Sequence, residues 1–166
     1  MSISTTVIEA LNQQINAELS ASYEYLAMSA WCRAKNFYGS AKWLRLQSQE
    51  EYGHAMRLYD FVLDRGGEVA LKQMAGPTEK FTSLLDVFTR VSTQEQNVSA
   101  QIDNLYELAF SQKAYSATVE LQWFLTEQVE EEKSAREILA KITLVGHDPA
   151  AILDFDRELG TRTTAE

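Results

Sequence analysis

The stretch Gln49-Glu50-Glu51-Tyr52-Gly53-His54 lies in the middle of a long helical pattern. Glu51 and His54 are three residues apart, so they share one face of a helix. That face runs through Leu44, Gln47, Glu51, His54, Leu58 and Phe61, a mostly apolar row. The row predicts a helix over about 40–65 that turns a carboxylate and an imidazole toward a core. Charged groups are rarely buried without a partner, so the other helices must supply one.

Upstream, Ile8, Leu11, Ile15, Glu18, Ser22, Tyr25 and Ser29 recur in alternating steps of three and four. Such steps form the seam of a bundle helix, predicted over about 6–34. Ser4-Thr5-Thr6 offers an N-cap, and Glu9 follows Thr6 at capping-box spacing. Asn36 to Gly39 reads as a turn short enough to make these two helices antiparallel neighbours. Gly66-Gly67 ends the second helix. Residues 66–81, with Gly76-Pro77, are long for a loop and read as a crossover along the bundle. That crossover would leave the second and third helices parallel.

The third helix is predicted over about 82–110, with Leu84, Phe88, Val91, Glu95, Val98, Ile102, Leu105 and Ala109 as its seam. The fourth is predicted over about 115–145, through Ala117, Leu121, Phe124, Gln128, Glu131, Ala135, Ile138, Ile142 and Val145. Pro149 suits the first turn of a short last helix over about 149–159. The polar tail Gly160–Glu166 is predicted to fray. The expectation is one all-α domain spanning 1–166: a four-helix bundle with a long crossover and a short fifth helix.

Composition narrows the function classes. A net charge of −9 disfavours nucleic acid and anionic membrane surfaces as partners and favours cations. The single Cys32 forbids an internal disulfide and fits a reducing cytoplasm. The start, Met-Ser-Ile-Ser-Thr-Thr, carries no signal-peptide pattern, and no stretch is apolar for the length a membrane helix needs.

Each seam is broken by one acid: Glu18, Glu51, Glu95 and Glu131. Each lies near the midpoint of its helix, and helices packed side by side share a midpoint level. The four carboxylates therefore converge in one layer, with His54 a turn along from Glu51. Four ionised carboxylates in a dry core repel one another, and a multivalent cation removes the conflict. Oxygen ligands with one imidazole suit iron, manganese or zinc, and two metals bridged by Glu51 is the economical arrangement. The bland alternative is a bundle whose acids reach solvent.

Tyr25 lies two turns from Glu18 on the same face. It reads either as a core residue with a satisfied hydroxyl or as a hydrogen-bond or electron donor beside a metal. Gln128, one turn from Glu131, can steady a ligand or a water. Glu50, Glu127 and Glu130 form a second acidic layer, either a solvated face or a third, weaker metal position. Trp31, Trp43 and Trp123 read as packing, with a weak redox role open only to Trp123.

Across nearly its whole length the sequence resembles the non-haem bacterial ferritins. The carriers are Glu18 and Tyr25, Gln49-Glu50-Glu51-x-x-His54, Glu95, and Glu127-Gln128-x-Glu130-Glu131. Ferritin-like di-metal bundles carry Glu and Glu-x-x-His in this order. The resemblance implies a first iron position at Glu18, Glu51 and His54. It implies a second at Glu51, Glu95 and Glu131, and a third at Glu50, Glu127, Glu130 and Glu131. It also implies a redox role for Tyr25, oxidation of Fe2+ by O2 or H2O2, and mineral storage in a homo-oligomeric shell of 24 subunits.

The departures also inform. Bacterioferritins carry a second Glu-x-x-His, but here Ser134 follows Glu131 at that spacing. They place a Met haem ligand after the bridging Glu, but here that residue is Tyr52, so no haem is expected. Heavy-chain ferritins have an acidic threefold channel, whereas the corresponding stretch here holds Thr118 and Leu121 with Glu120 nearby. A non-storing di-iron oxidase or peroxidase is the competing enzyme reading, and particle size separates it from storage. A non-catalytic helical bundle is the competing structural one.

Overall fold

The computed structural model describes residues 3–77 and 80–163. Five helices follow in order: α1 (Thr5–Ala34), α2 (Tyr38–Asp64), α3 (Leu84–Ser111), α4 (Tyr115–Val145) and α5 (Pro149–Leu159). Helix α1 packs along α2 and α3 along α4, while α1 also meets α3. Helix α5 closes one end against α2 and α4. This is the four-helix bundle with a short fifth helix expected from the seams.

The caps explain most of the boundaries. Ser4, not Thr6, caps α1: its hydroxyl accepts from the Val7 amide at 3.4 Å, so the predicted Thr6–Glu9 capping box does not form. Three hydroxyl residues in a row all offer a cap, and the earliest takes it. Asn36 adopts a left-handed conformation (φ 65°) in the turn to α2. Ser83 caps α3 by accepting from the Asp86 amide at 3.1 Å, and Asp86 accepts in return from the Thr82 amide at 2.8 Å. Asp148 caps α5 and accepts from the amides of Ala150 and Ala151. Pro149 follows as the first helical residue, where its missing N–H costs nothing.

Helix α2 begins two residues before the expected Ser40, and its cap comes from far along the chain. The buried carboxylate of Asp156, on α5, accepts from the amides of Gly39 (3.0 Å) and Ser40 (2.8 Å) and from the Ser40 hydroxyl (2.7 Å). A carboxylate on the first-turn amides is favoured by the helix dipole. Gly39 is required here, because a Cβ on it would fall 1.7 Å from the Asp156 carbonyl oxygen.

The crossover is pinned to α1 by two amides. Asn12 donates to the Glu68 carbonyl (2.8 Å) and accepts from the Ala70 amide (2.7 Å). Asn16 repeats the pattern with the Ala70 carbonyl (2.9 Å) and the Lys72 amide (2.7 Å). Further on, Phe81 meets Trp31 near the other end of α1, with ring centroids 5.9 Å apart. The segment therefore travels from the start of α1 toward its end, which makes α2 and α3 parallel. The predicted crossover includes 78–79, and these two positions lie outside the described residues.

The apolar core is split in two. One cluster holds Tyr25, Met28, Trp43, Leu44, Phe88 and Val91, and extends to Phe155 of α5. The other holds Leu11, Ile15, Leu58, Val98, Ile102 and Phe124. Read along each helix, the break between the clusters falls at Glu18, at 47–54, at Glu95 and at 128–131. The α3 seam is buried at every predicted position. On α2 the seam ends at Val62 rather than Phe61, and on α1 Val7 is buried in place of Ile8.

Candidate metal centre

Between the two apolar clusters lies a polar layer fed by all four long helices. Glu18, Glu51, His54, Glu95, Gln128 and Glu131 are buried, the most exposed of them Glu131 at 8%. Burial at mid-helix follows from the seam: each acid occupies a position that the apolar periodicity turns inward. Ligand-capable atoms of Glu18, Glu51 and His54 lie within 4.8 Å of one another, and those of His54, Glu127 and Glu131 form a second such group.

Neutral amides and a phenol, rather than cations, hold these carboxylates. Gln14 donates to Glu18 Oε1 at 2.8 Å. Gln47 donates to Glu131 Oε2 at 2.8 Å and reaches Glu51 Oε1 at 3.4 Å. His54 Nδ1 lies 3.1 Å from Glu51 Oε2. The Tyr25 hydroxyl donates to Glu95 Oε1, while Gln128 Nε2 reaches Glu95 Oε2 at 3.3 Å and Ser99 Oγ at 3.3 Å. The His54 ring meets the edge of Trp123 at 5.4 Å, and Arg57 lies 4.1 Å over that indole while pairing with Glu120.

The electrostatics are those of crowded acids short of solvent. Burial, then the neighbouring Glu51 charge, pushes Glu18 up to about 8. Burial and the Glu95 charge push Glu131 up to about 7. Burial raises Glu51 well above the carboxylate range, with Glu95 and Glu131 adding repulsion. Glu95 is raised by burial and drawn back by its bonds from Tyr25 and Gln128. Burial and the Glu95 charge likewise raise Tyr25 well above its ordinary value.

Glu18 Oε2 is buried with no hydrogen-bond partner among the described residues. A carboxyl oxygen left bare in a core is costly, and a cation satisfies it. Carboxylates on both sides, one imidazole and no thiolate form a donor set for a hard or borderline divalent metal, and iron fits it.

The second acidic layer is less gathered. Glu127 is half-buried beside His54 and Glu131. Glu50 pairs with Arg162, and Glu130 points outward, its side chain 66% exposed and 3.7 Å from Lys133. Arg162 itself overturns the expectation of a frayed tail. Its guanidinium lies 4.7 Å over the Trp43 ring and donates to Gln47 Oε1 at 2.8 Å. Positions 164–166 lie outside the described residues.

Sequence reasoning assigned no role to Gln14, Gln47 or Arg162. For the glutamines a signal existed, because each precedes its glutamate by four residues on the same helix face. A single Arg in a polar tail carries none.

The family described as ferritin-like domain matches residues 8–145. The chain belongs to this ferritin-like family. It is 37% identical over 164 residues to a bacterial non-heme ferritin of Staphylococcus aureus strain MRSA252, covering 99% of each chain. Among solved structures, the ferritin-like fold here resembles an engineered closed form of the Archaeoglobus fulgidus ferritin, at a TM-score of 0.96 and 43% identity. That comparison covers 99% of this chain and 100% of the other. The open-pore ferritin of the same archaeon gives 0.95 and 42%, over 97% and 98% of the two chains. The chain contains no helix, among the described residues, that is long and apolar enough to cross a membrane.

Proposed function

We propose that this chain is the subunit of an iron-storage ferritin that oxidises Fe2+ at an intrasubunit di-iron centre and releases Fe3+ to a mineral. The observation that carries the reading is the buried layer itself, in which raised carboxylates surround an orphaned oxygen of Glu18. Family membership over most of the chain supports it. On this reading 1–166 is a single di-iron domain.

Glu18, Glu51 and His54 bind the first iron, and Glu51, Glu95 and Glu131 the second, with Glu51 bridging. Glu50, Glu127, Glu130 and Glu131 serve a third position. Gln14 and Gln47 keep the carboxylate oxygens aimed inward before iron arrives. Tyr25 and Gln128 orient Glu95. Iron supplies the redox chemistry: two Fe2+ each give one electron, and O2 takes both with two protons and leaves as H2O2. Peroxide is the other oxidant, taking two electrons and two protons to give two waters. Tyr52 stands directly after the bridge, where the haem ligand of bacterioferritins is a Met, so no haem is expected. The subunit assembles as a 24-membered homo-oligomeric shell in the cytoplasm, with neither nucleic acid nor membrane as partner.

Aerobic addition of Fe2+ to the metal-free assembly should give a fast oxidation saturating at about two irons per subunit, the complement of a two-metal site. Glu51→Ala or His54→Ala should abolish that phase. Oxidation by either variant at the parent rate overturns the assignment.

A further inference from the structure

The tail after α5 places a fixed cation beside the acidic layer. Arg162 Nη1 donates to Gln47 Oε1 at 2.8 Å, and Nη2 donates to Glu50 Oε2. The Arg162 and Glu50 side chains are only 23% and 26% exposed, and the Trp43 ring lies against the guanidinium. A guanidinium has donors and no acceptor. Gln47 must therefore turn its oxygen to Arg162 and its nitrogen inward, where it donates to Glu131 and reaches Glu51. One residue of the tail thus neutralises Glu50 and fixes the amide that holds carboxylates of α2 and α4.

We propose that Arg162 is a positioning residue that stands in for a metal beside Glu50, so that the third iron position fills only when Arg162 withdraws. The inference rests on the reading above in which Glu50 is a third-position ligand. The Glu50 oxygen bound by the guanidinium cannot at the same time be given freely to a divalent cation, and the two positive charges repel at contact distance. Arg162 lies three residues beyond the last residue of α5, so it can leave without unwinding that helix. The occupant is attached to the chain, so it competes at every iron concentration, and it biases loading toward the buried pair of positions first.

The test is an anaerobic Fe2+ titration of the full metal-free assembly by calorimetry, resolving the weakest class of sites. Arg162→Gln removes the competing charge and should tighten that class roughly two- to fivefold, the scale of a partly exposed ion pair. Arg162→Lys keeps a charge on a similar stem and should stay nearer the parent. Glu50→Gln should remove the class, and adding Arg162→Gln to it should then change nothing. A merely structural role for Arg162 would move melting temperature but not the affinity of one class. Unchanged or weaker binding in Arg162→Gln, with the class still lost in Glu50→Gln, overturns the inference and leaves the third position standing. Persistence of the class in Glu50→Gln removes Glu50 as a ligand and overturns both.

Discussion

Loading the centre with a divalent metal should expel protons, and the number follows from the buried carboxylates. With Glu18 near 8 and Glu131 near 7 in the metal-free protein, both are mainly protonated at pH 6.5. Simple titration at those values gives about 1.7 protons on the two groups at pH 6.5 and about 0.1 at pH 9. Metal ligation requires the ionised forms, so that difference appears as proton release. Glu51 and Glu95 are raised as well and add to it. The perturbation is Zn2+ addition to the metal-free assembly, which avoids oxidation. The assay is calorimetry in buffers of different ionisation enthalpy, repeated from pH 6 to pH 9. Release should be at least about 1.7 protons per subunit at pH 6.5 and should fall as pH rises and Glu18 and Glu131 ionise unaided. Glu18→Gln should lower it by about one, since Gln carries no titratable proton. Release that is near zero at pH 6.5, or that is unchanged in Glu18→Gln, refutes the account of a crowded, protonated layer.

Three further outcomes follow from the same geometry. The metal-free protein should lose stability as pH rises, because the folded state holds protons that the unfolded chain gives up near 4.5. The loss is about 1.4 kcal/mol per pH unit for each such group, between roughly pH 5 and 8 for Glu18, and chemical denaturation in chelator checks it. A stability that rises across that window contradicts it. Tyr25→Phe removes the hydroxyl that draws Glu95 down, so Glu95 becomes harder to ionise. Fast iron oxidation, followed by stopped-flow absorbance, should then fall by about tenfold, more at lower pH than at higher, and a loss independent of pH would exclude this route. Asp156→Ala leaves the first amides of α2 without their cap and should cost about 3 kcal/mol in urea unfolding, against no measurable change if α5 merely rests on the bundle.

The parts of the fold that were legible are those written in a local period. Every predicted seam position of α3 is buried, because an uninterrupted alternation of three and four steps has one inward face. The acids of the centre stood out for the same reason: each replaces an apolar residue in such a row. What was not legible depends on residues far apart in sequence. The start of α2 is set by Asp156, more than a hundred residues away, so no local cap marked it. At the start of α1, Ser4, Thr5 and Thr6 all have capping side chains, so the stretch was legible but the choice of Ser4 over Thr6 was not. The end of the α2 seam moved from Phe61 to Val62, since both are apolar and adjacent. Arg162 was hidden in a polar tail whose composition predicts fraying, and only the Trp43 face and the Glu50 carboxylate give it a place.

The proposed function places paired irons in one buried layer of carboxylates. Crystals of the assembly soaked with Fe2+ without oxygen, then measured by anomalous scattering at the iron edge, test it most directly. Two iron positions per subunit should appear in this layer, with Glu51 touching both and Glu18 Oε2 no longer bare. Iron absent from the layer, or bound only at exposed acids such as Glu130, would contradict it.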